Sequence, residues 1–103
     1  MEKIFVIKQD AEKTTIITQK DHLLADDNDR FKSEFDEILP TIGQELVLDF
    51  TKVKYVSSLI LASLVYILKK LTENKKKLVL ANLQPAVKEM LEITNLDKVF
   101  DIK

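Results

Sequence analysis

The sequence predicts an α/β fold: a small mixed β-sheet with helices packed mainly on one side. Three observations carry that expectation. Two short runs, ELVLDF at 45–50 and KLVLANL at 77–83, are almost continuously apolar, as in strands of a parallel sheet covered on both faces. Helix-period segments alternate with them, at 57–73 and again from Pro85 to about Asn95. The chain has 103 residues, of which 46% are hydrophobic, enough for one domain with one core.

The elements follow in order β-β-α-β-α-β-α, as a single domain over 1–103. Residues 4–8 and 14–18 are short β-rich runs, and the polar stretch 9–13 between them predicts a hairpin. From Asp29 on, Phe31, Phe35, Ile38 and Leu39 recur at spacings that make one apolar helical stripe. Asp26, Asp27 and Asn28 supply cap candidates for that helix, and Pro40 ends it. After ELVLDF comes the longest helix, 57–73. At about 100° per residue, Leu61, Leu64, Val65, Leu68 and Leu71 make its expected core face. Leu59, Ala62, Ser63, Tyr66 and Lys70 lie opposite, with Ile60 and Ile67 on the flank. Pro85 suits the first turn of the third helix, whose inward stripe is Val87, Met90, Leu91 and Thr94. Residues 96–102 close the chain as a turn or edge strand. The strands at 45–50 and 77–83 are expected in the centre, the first two at an edge.

Composition excludes several functions. The 16 basic and 17 acidic residues balance to a net charge of −1, without the clustered positive excess of a nucleic-acid surface. There are no cysteines, hence no disulfides, thiolate metal sites or thiol nucleophiles. Gly43 is the only glycine, which rules out glycine-rich phosphate loops and dinucleotide fingerprints. The start, MEKIFVIKQD, does not read as a signal peptide. The longest apolar run, residues 59–68, is about half the length needed to span a bilayer. A cytoplasmic protein with no cofactor, no metal and no direct membrane insertion is expected.

The candidate site is the serine pair Ser57-Ser58, which opens the long helix. One serine serves as an N-cap, its oxygen accepting an unpaired backbone N–H. A serine there is also a favourable acceptor for phosphate, because free N–H groups and the helix dipole stabilise added negative charge. A nucleophilic role would need a base, and His22 is the only histidine. No nucleophile elbow or oxyanion motif accompanies the serine, so no catalysis is expected. The apolar residues Leu59, Ala62 and Tyr66 on the outer side predict either cover from a neighbouring element or a partner surface.

Three segments carry a family resemblance: LVLDFTKVKYVSS at 46–58, KLVLANLQPAVKEML at 77–91, and LEITNLDKVFDI at 91–102. In this order and spacing they resemble the STAS domain of bacterial anti-sigma factor antagonists. The resemblance implies that Ser58 is a phosphorylation site and Ser57 the position before it. It implies a protein partner, a serine kinase-like anti-sigma factor, bound by the unphosphorylated form and released by phosphorylation, and thus a role in transcription regulation. The partner surface would include Ser57, Ser58, Leu59, Ala62 and Tyr66, framed by Asp21 and His22 from the loop after the second strand. Leu59 and Ile60 stand where the family carries smaller residues, a glycine in the second case. A STAS scaffold that is not phosphorylated, such as an accessory subunit of a membrane lipid transporter, is the alternative.

Overall fold

A computed structural model describes residues 4–10 and 12–103. The first three positions of MEKIFVIKQD, and Ala11 in the polar stretch 9–13, lie outside it. The strands are β1 (Phe5–Gln9), β2 (Lys13–Thr18), β3 (His22–Leu23), β4 (Glu45–Asp49), β5 (Tyr55–Val56), β6 (Lys77–Ala81) and β7 (Asp101–Ile102). The helices are α1 (Asn28–Ile38), α2 (Ser58–Glu73) and α3 (Pro85–Ile93). Among the described residues no helix is long and apolar enough to cross a membrane.

The main sheet has the order β1-β2-β4-β6-β7. β1 and β2 form the expected antiparallel hairpin, closed by Asp10 N–H donating to Lys13 O at 3.0 Å. The steps from β2 to β4, β6 and β7 are parallel and all move in one direction across the sheet. Right-handed crossovers that never reverse direction must lay every helix on the same face. The core accordingly joins Leu46, Leu48, Leu78 and Leu80 to Phe31 and Phe35 of α1, Ile60, Leu64, Ile67 and Leu71 of α2, and Val87 and Leu91 of α3. The α/β class and the one-sided helix layer match the sequence expectation.

Five expectations need correction. ELVLDF reads as covered on both faces, but Glu45, Val47 and Asp49 face the open side and stay partly accessible. Cross-strand neighbours shield that side instead, and Val79, paired with Val47, is fully buried. The strand at 77–83 ends at Ala81, because Asn82 turns to φ 57°. Thr94 leaves the inward stripe of α3: it is exposed beyond the last turn and its hydroxyl donates to Met90 O at 2.9 Å.

The fourth concerns the face of α2. Its buried residues are Ile60, Leu61, Ser63, Leu64, Ile67 and Leu71, while Val65 is 40% exposed. The core stripe is thus rotated toward Ile60, Ser63 and Ile67. The reason is α1, which packs along that flank. The Ser63 hydroxyl donates to Asn28 Oδ1, and the Tyr66 hydroxyl donates to Asp36 Oδ1 at 3.0 Å. Phe35 meets the Tyr66 ring edge-on at a centroid distance of 6.3 Å.

The start of α1 is also built differently from expectation. A single 3-10 turn, Ala25–Asp27, precedes it. Asp27 Oδ2 accepts the Leu24 N–H at 2.9 Å, and Oδ1 accepts Lys20 Nζ at 2.7 Å. Asp26 and Asn28 do not fill that role. Burial pushes the Asp27 carboxyl up, but the hydrogen bonds from Lys20 and Leu24 outweigh it and hold the group below the usual carboxylate range.

Candidate functional site

The site forms where two chain segments meet at the start of α2. β3 and β5 pair in parallel, with His22 opposite Tyr55 and Leu23 opposite Val56. Asp21 O accepts Lys54 N–H at 2.7 Å and Tyr55 N–H at 3.2 Å, and Leu23 O accepts Ser57 N–H at 2.8 Å. The loop after β2 is thereby clipped to the chain leading into α2. Leu23 and Val56 are buried beneath the clip, so their neighbours His22, Leu24 and Tyr55 point outward by the strand period of two.

The two serines divide the tasks that the sequence left open. Ser57 has extended backbone geometry (φ −77°, ψ 165°), and its Oγ accepts Ile60 N–H at 3.3 Å. It is the N-cap. Ser58 is the first helical residue and is exposed. On a helix, positions four and seven residues further on share its face. Those are Ala62 and Val65, both exposed. Leu59, 49% exposed, stands beside that line.

Of the other expected site residues, Asp21 and His22 are both exposed, and His22 Nδ1 pairs with Asp21 Oδ1 at 3.1 Å. That hydrogen bond, foremost, keeps the Asp21 carboxyl below its ordinary range. The rings of His22 and Tyr55 lie 6.2 Å apart. Tyr66 is half-buried on the α1 side, with Lys32 Nζ 4.5 Å from its ring centre. It closes one border of the patch instead of standing at its centre.

Sequence reasoning missed three residues of this surface. Leu24, Tyr55 and Val65 are 46%, 42% and 40% exposed. Only the alternation of Tyr55 with its neighbour Val56 held a local signal for Tyr55. Nothing local marked Leu24 or Val65, which depend on the clip and on the position of α1. With Leu59 and Ala62 they are exposed apolar residues on the clip and on the first turns of α2. Ser58 is exposed at the first position of α2, beside the first free N–H groups of the helix.

The opposite end of the sheet has an open groove of about 390 Å³, lined by Asp10, Glu12, Lys13, Gln44 and Glu45. It is remote from Ser58, at the beginnings of the parallel strands. Among the described residues no group of three or more histidine or acidic side chains is placed to hold a metal ion.

Comparison with known proteins places this architecture. The STAS domain family model matches residues 6–103. A Thermotoga maritima protein assigned as an anti-sigma factor antagonist is similar over 95% of this chain and 84% of its own, with 26% identity and a TM-score of 0.81. The Bacillus cell fate determinant SpoIIAA in its phosphorylated form shares the fold, with 11% identity, a TM-score of 0.71, and coverage of 96% of this chain and 90% of that one. A sulfate transporter family protein of Wolinella succinogenes shares it too, with 12% identity and a TM-score of 0.69 over 85% of this chain and 69% of that one. With the one-directional sheet, the single helix layer and the serine-capped α2 in place, the match over residues 6–103 shows that the chain belongs to the STAS domain family.

Proposed function

We propose that this protein is a regulatory binding module of the anti-sigma factor antagonist type, switched by phosphorylation of Ser58. The observation that carries the reading is the division between the serines. Ser57 caps α2, and Ser58 stands exposed among Leu59, Ala62 and Val65. The partner is a protein, a kinase-like anti-sigma factor, which docks on the apolar patch and phosphorylates Ser58. The phosphate gains from the free N–H groups and dipole of α2, so modification does not strain the domain. It does oppose docking, because a group of about −2 charge at pH 7 must be desolvated against Leu59 and Tyr55. The module acts in the cytoplasm and carries out no catalysis itself. The similar fold of phosphorylated SpoIIAA supports this reading.

A second reading rests on the bulk of the patch. Leu24, Tyr55, Leu59 and Val65 are each at least 40% exposed, which suits a constitutive apolar contact in a scaffold or transporter subunit. The similarity in fold to a transporter-family protein supports it.

Intact mass after co-expression with kinase-like anti-sigma factors from the same genome separates the two. A single phosphate gain that disappears in Ser58→Ala, with loss of the complex on phosphorylation, supports the switch. No gain with any such kinase, together with a stable complex carrying unmodified Ser58, supports the scaffold.

A further inference from the structure

The 3-10 turn Ala25–Asp27 is capped from the wrong end. Its N-cap is Leu24, in extended backbone at φ −99° and ψ 171°. Serine, threonine, aspartate and asparagine are preferred at such a position, because their oxygens accept free backbone N–H groups. A leucine side chain accepts nothing. It also adds little to the core, since Leu24 is 46% exposed while its neighbour Leu23 is fully buried. Asp27 supplies the missing acceptor. Its Oδ2 accepts Leu24 N–H at 2.9 Å, and its own N–H donates to Leu24 O at 2.9 Å. Both backbone hydrogen-bonding groups of Leu24 are thus held by one residue. Oδ1 accepts Lys20 Nζ at 2.7 Å, so the same carboxylate ties the chain leaving β2 to the end of the loop. At 6% exposure, Asp27 makes these bonds away from water, where they are stronger.

We infer that Asp27 is a positioning residue for partner docking: acting through Leu24, its carboxylate fixes one apolar member of the surface that the clip presents. The role rests on the reading of Ser58 as the switch of a docking surface. The link to that surface is covalent and short. Leu24 directly follows Leu23, whose carbonyl accepts the N–H of Ser57, the residue before Ser58. Packing fixes Leu23, which the core encloses on all sides. A half-exposed Leu24 has packing on one side only, so its place depends on the bonds to Asp27. Capping alone needs one acceptor oxygen. A carboxylate has two, and the second closes residues 20–27 into a ring through Lys20. Loss of the carboxylate opens that ring and frees Leu24, while Leu23 stays in the core. A leucine at a cap position, held by a buried charge, is thereby explained as a contact residue kept in one place.

Two readouts test this. In the free protein, Asp27→Ala, checked for folding by circular dichroism, is expected to speed exchange of the Leu24 amide about tenfold relative to the Leu48 amide of β4. An unchanged ratio overturns the inference. The second readout is affinity for a kinase-like anti-sigma factor from the same genome, loaded with a non-hydrolysable ATP analogue so that Ser58 stays unmodified. Leu24→Ala and Asp27→Ala are each expected to weaken binding at least about threefold. The double variant is expected to bind no more weakly than Leu24→Ala alone, because Asp27 acts through that side chain. Additive losses overturn the inference, and so does unchanged affinity in either single variant. If no such factor binds the unmodified protein, the reading of Ser58 fails and the exchange ratio alone decides the positioning. Should Asp27→Ala fail to fold, Asp27→Asn takes its place: one neutral oxygen then serves two donors, and the Leu24 amide still loses protection.

Discussion

Ser57 Oγ accepts the Ile60 N–H at 3.3 Å, and that bond separates the roles of two neighbouring serines. Losing a serine N-cap costs about 1 kcal/mol, and the long distance here points to the lower half of the usual range. Ser57→Ala is therefore expected to destabilise the domain by about 0.5–1 kcal/mol. Ser58→Ala, at an exposed position, should stay within about 0.5 kcal/mol of the parent. Urea denaturation of both variants checks this; equal losses would mean that the capping assignment is wrong.

A negative charge at position 58 faces the positive end of the α2 dipole. Ser58→Glu is expected to stabilise the free domain by about 0.3–1 kcal/mol at low salt, and the gain should fade as salt is raised. The same variant should lose affinity for the partner. Thermal unfolding at two ionic strengths tests the first part, and a destabilised variant would contradict it.

The rotated stripe of α2 makes a sharper contrast. Leu64 is fully buried and Val65 is 40% exposed. Leu64→Ala should cost about 2–5 kcal/mol. Val65→Ala should cost less than about 1 kcal/mol, because little apolar surface leaves the core. Comparable losses for the two would restore the helix face that periodicity alone indicates.

Glu34 is 6% exposed and holds the entry to β1 through two backbone amides. Hydrogen bonds to a charged group contribute about 1.5–3 kcal/mol each, and removing the acceptor strands both donors. Glu34→Ala should thus destabilise the fold by about 3 kcal/mol. Amide exchange at Ile4 and Phe5 should accelerate more than exchange in β4. Uniform acceleration would show that Glu34 supports the whole fold and not this entry.

Asp27 sets an acid limit. Its folded carboxyl titrates below the unfolded value of 3.8, so the unfolded chain binds more protons in this range. The contribution is complete well above pH 3.8 and is lost as pH falls through the lower folded value. Asp27→Asn should flatten the acid side of the stability profile and leave its slope near neutrality unchanged. A profile that keeps its acid slope in the variant would assign that slope to other carboxylates.

The sequence by itself determined the order of the longer strands and the helices, the α/β class and the place of the serine pair, but not the short strands β3 and β5. Those features are local. Strand runs such as LVLDF, the helical spacing of Phe31 and Phe35, and Pro85 at a helix start act over a few residues, and no distant contact overrides them. It also held both readings of the serines. Tertiary structure decided between residues that the pattern treats alike. Val65 and Leu64 are adjacent apolar residues, and only the seat of α1 beside Ser63 and Tyr66 turns one outward and the other inward. Leu24 and Tyr55 join the patch only because the clip of β3 to β5 brings together segments about thirty residues apart. The open sheet face was illegible for the same reason: cross-strand burial of Val79 depends on strand order, and strand order is a property of the whole chain. Periodicity reports which side of an element is apolar, whereas packing partners fix which part of that side is covered.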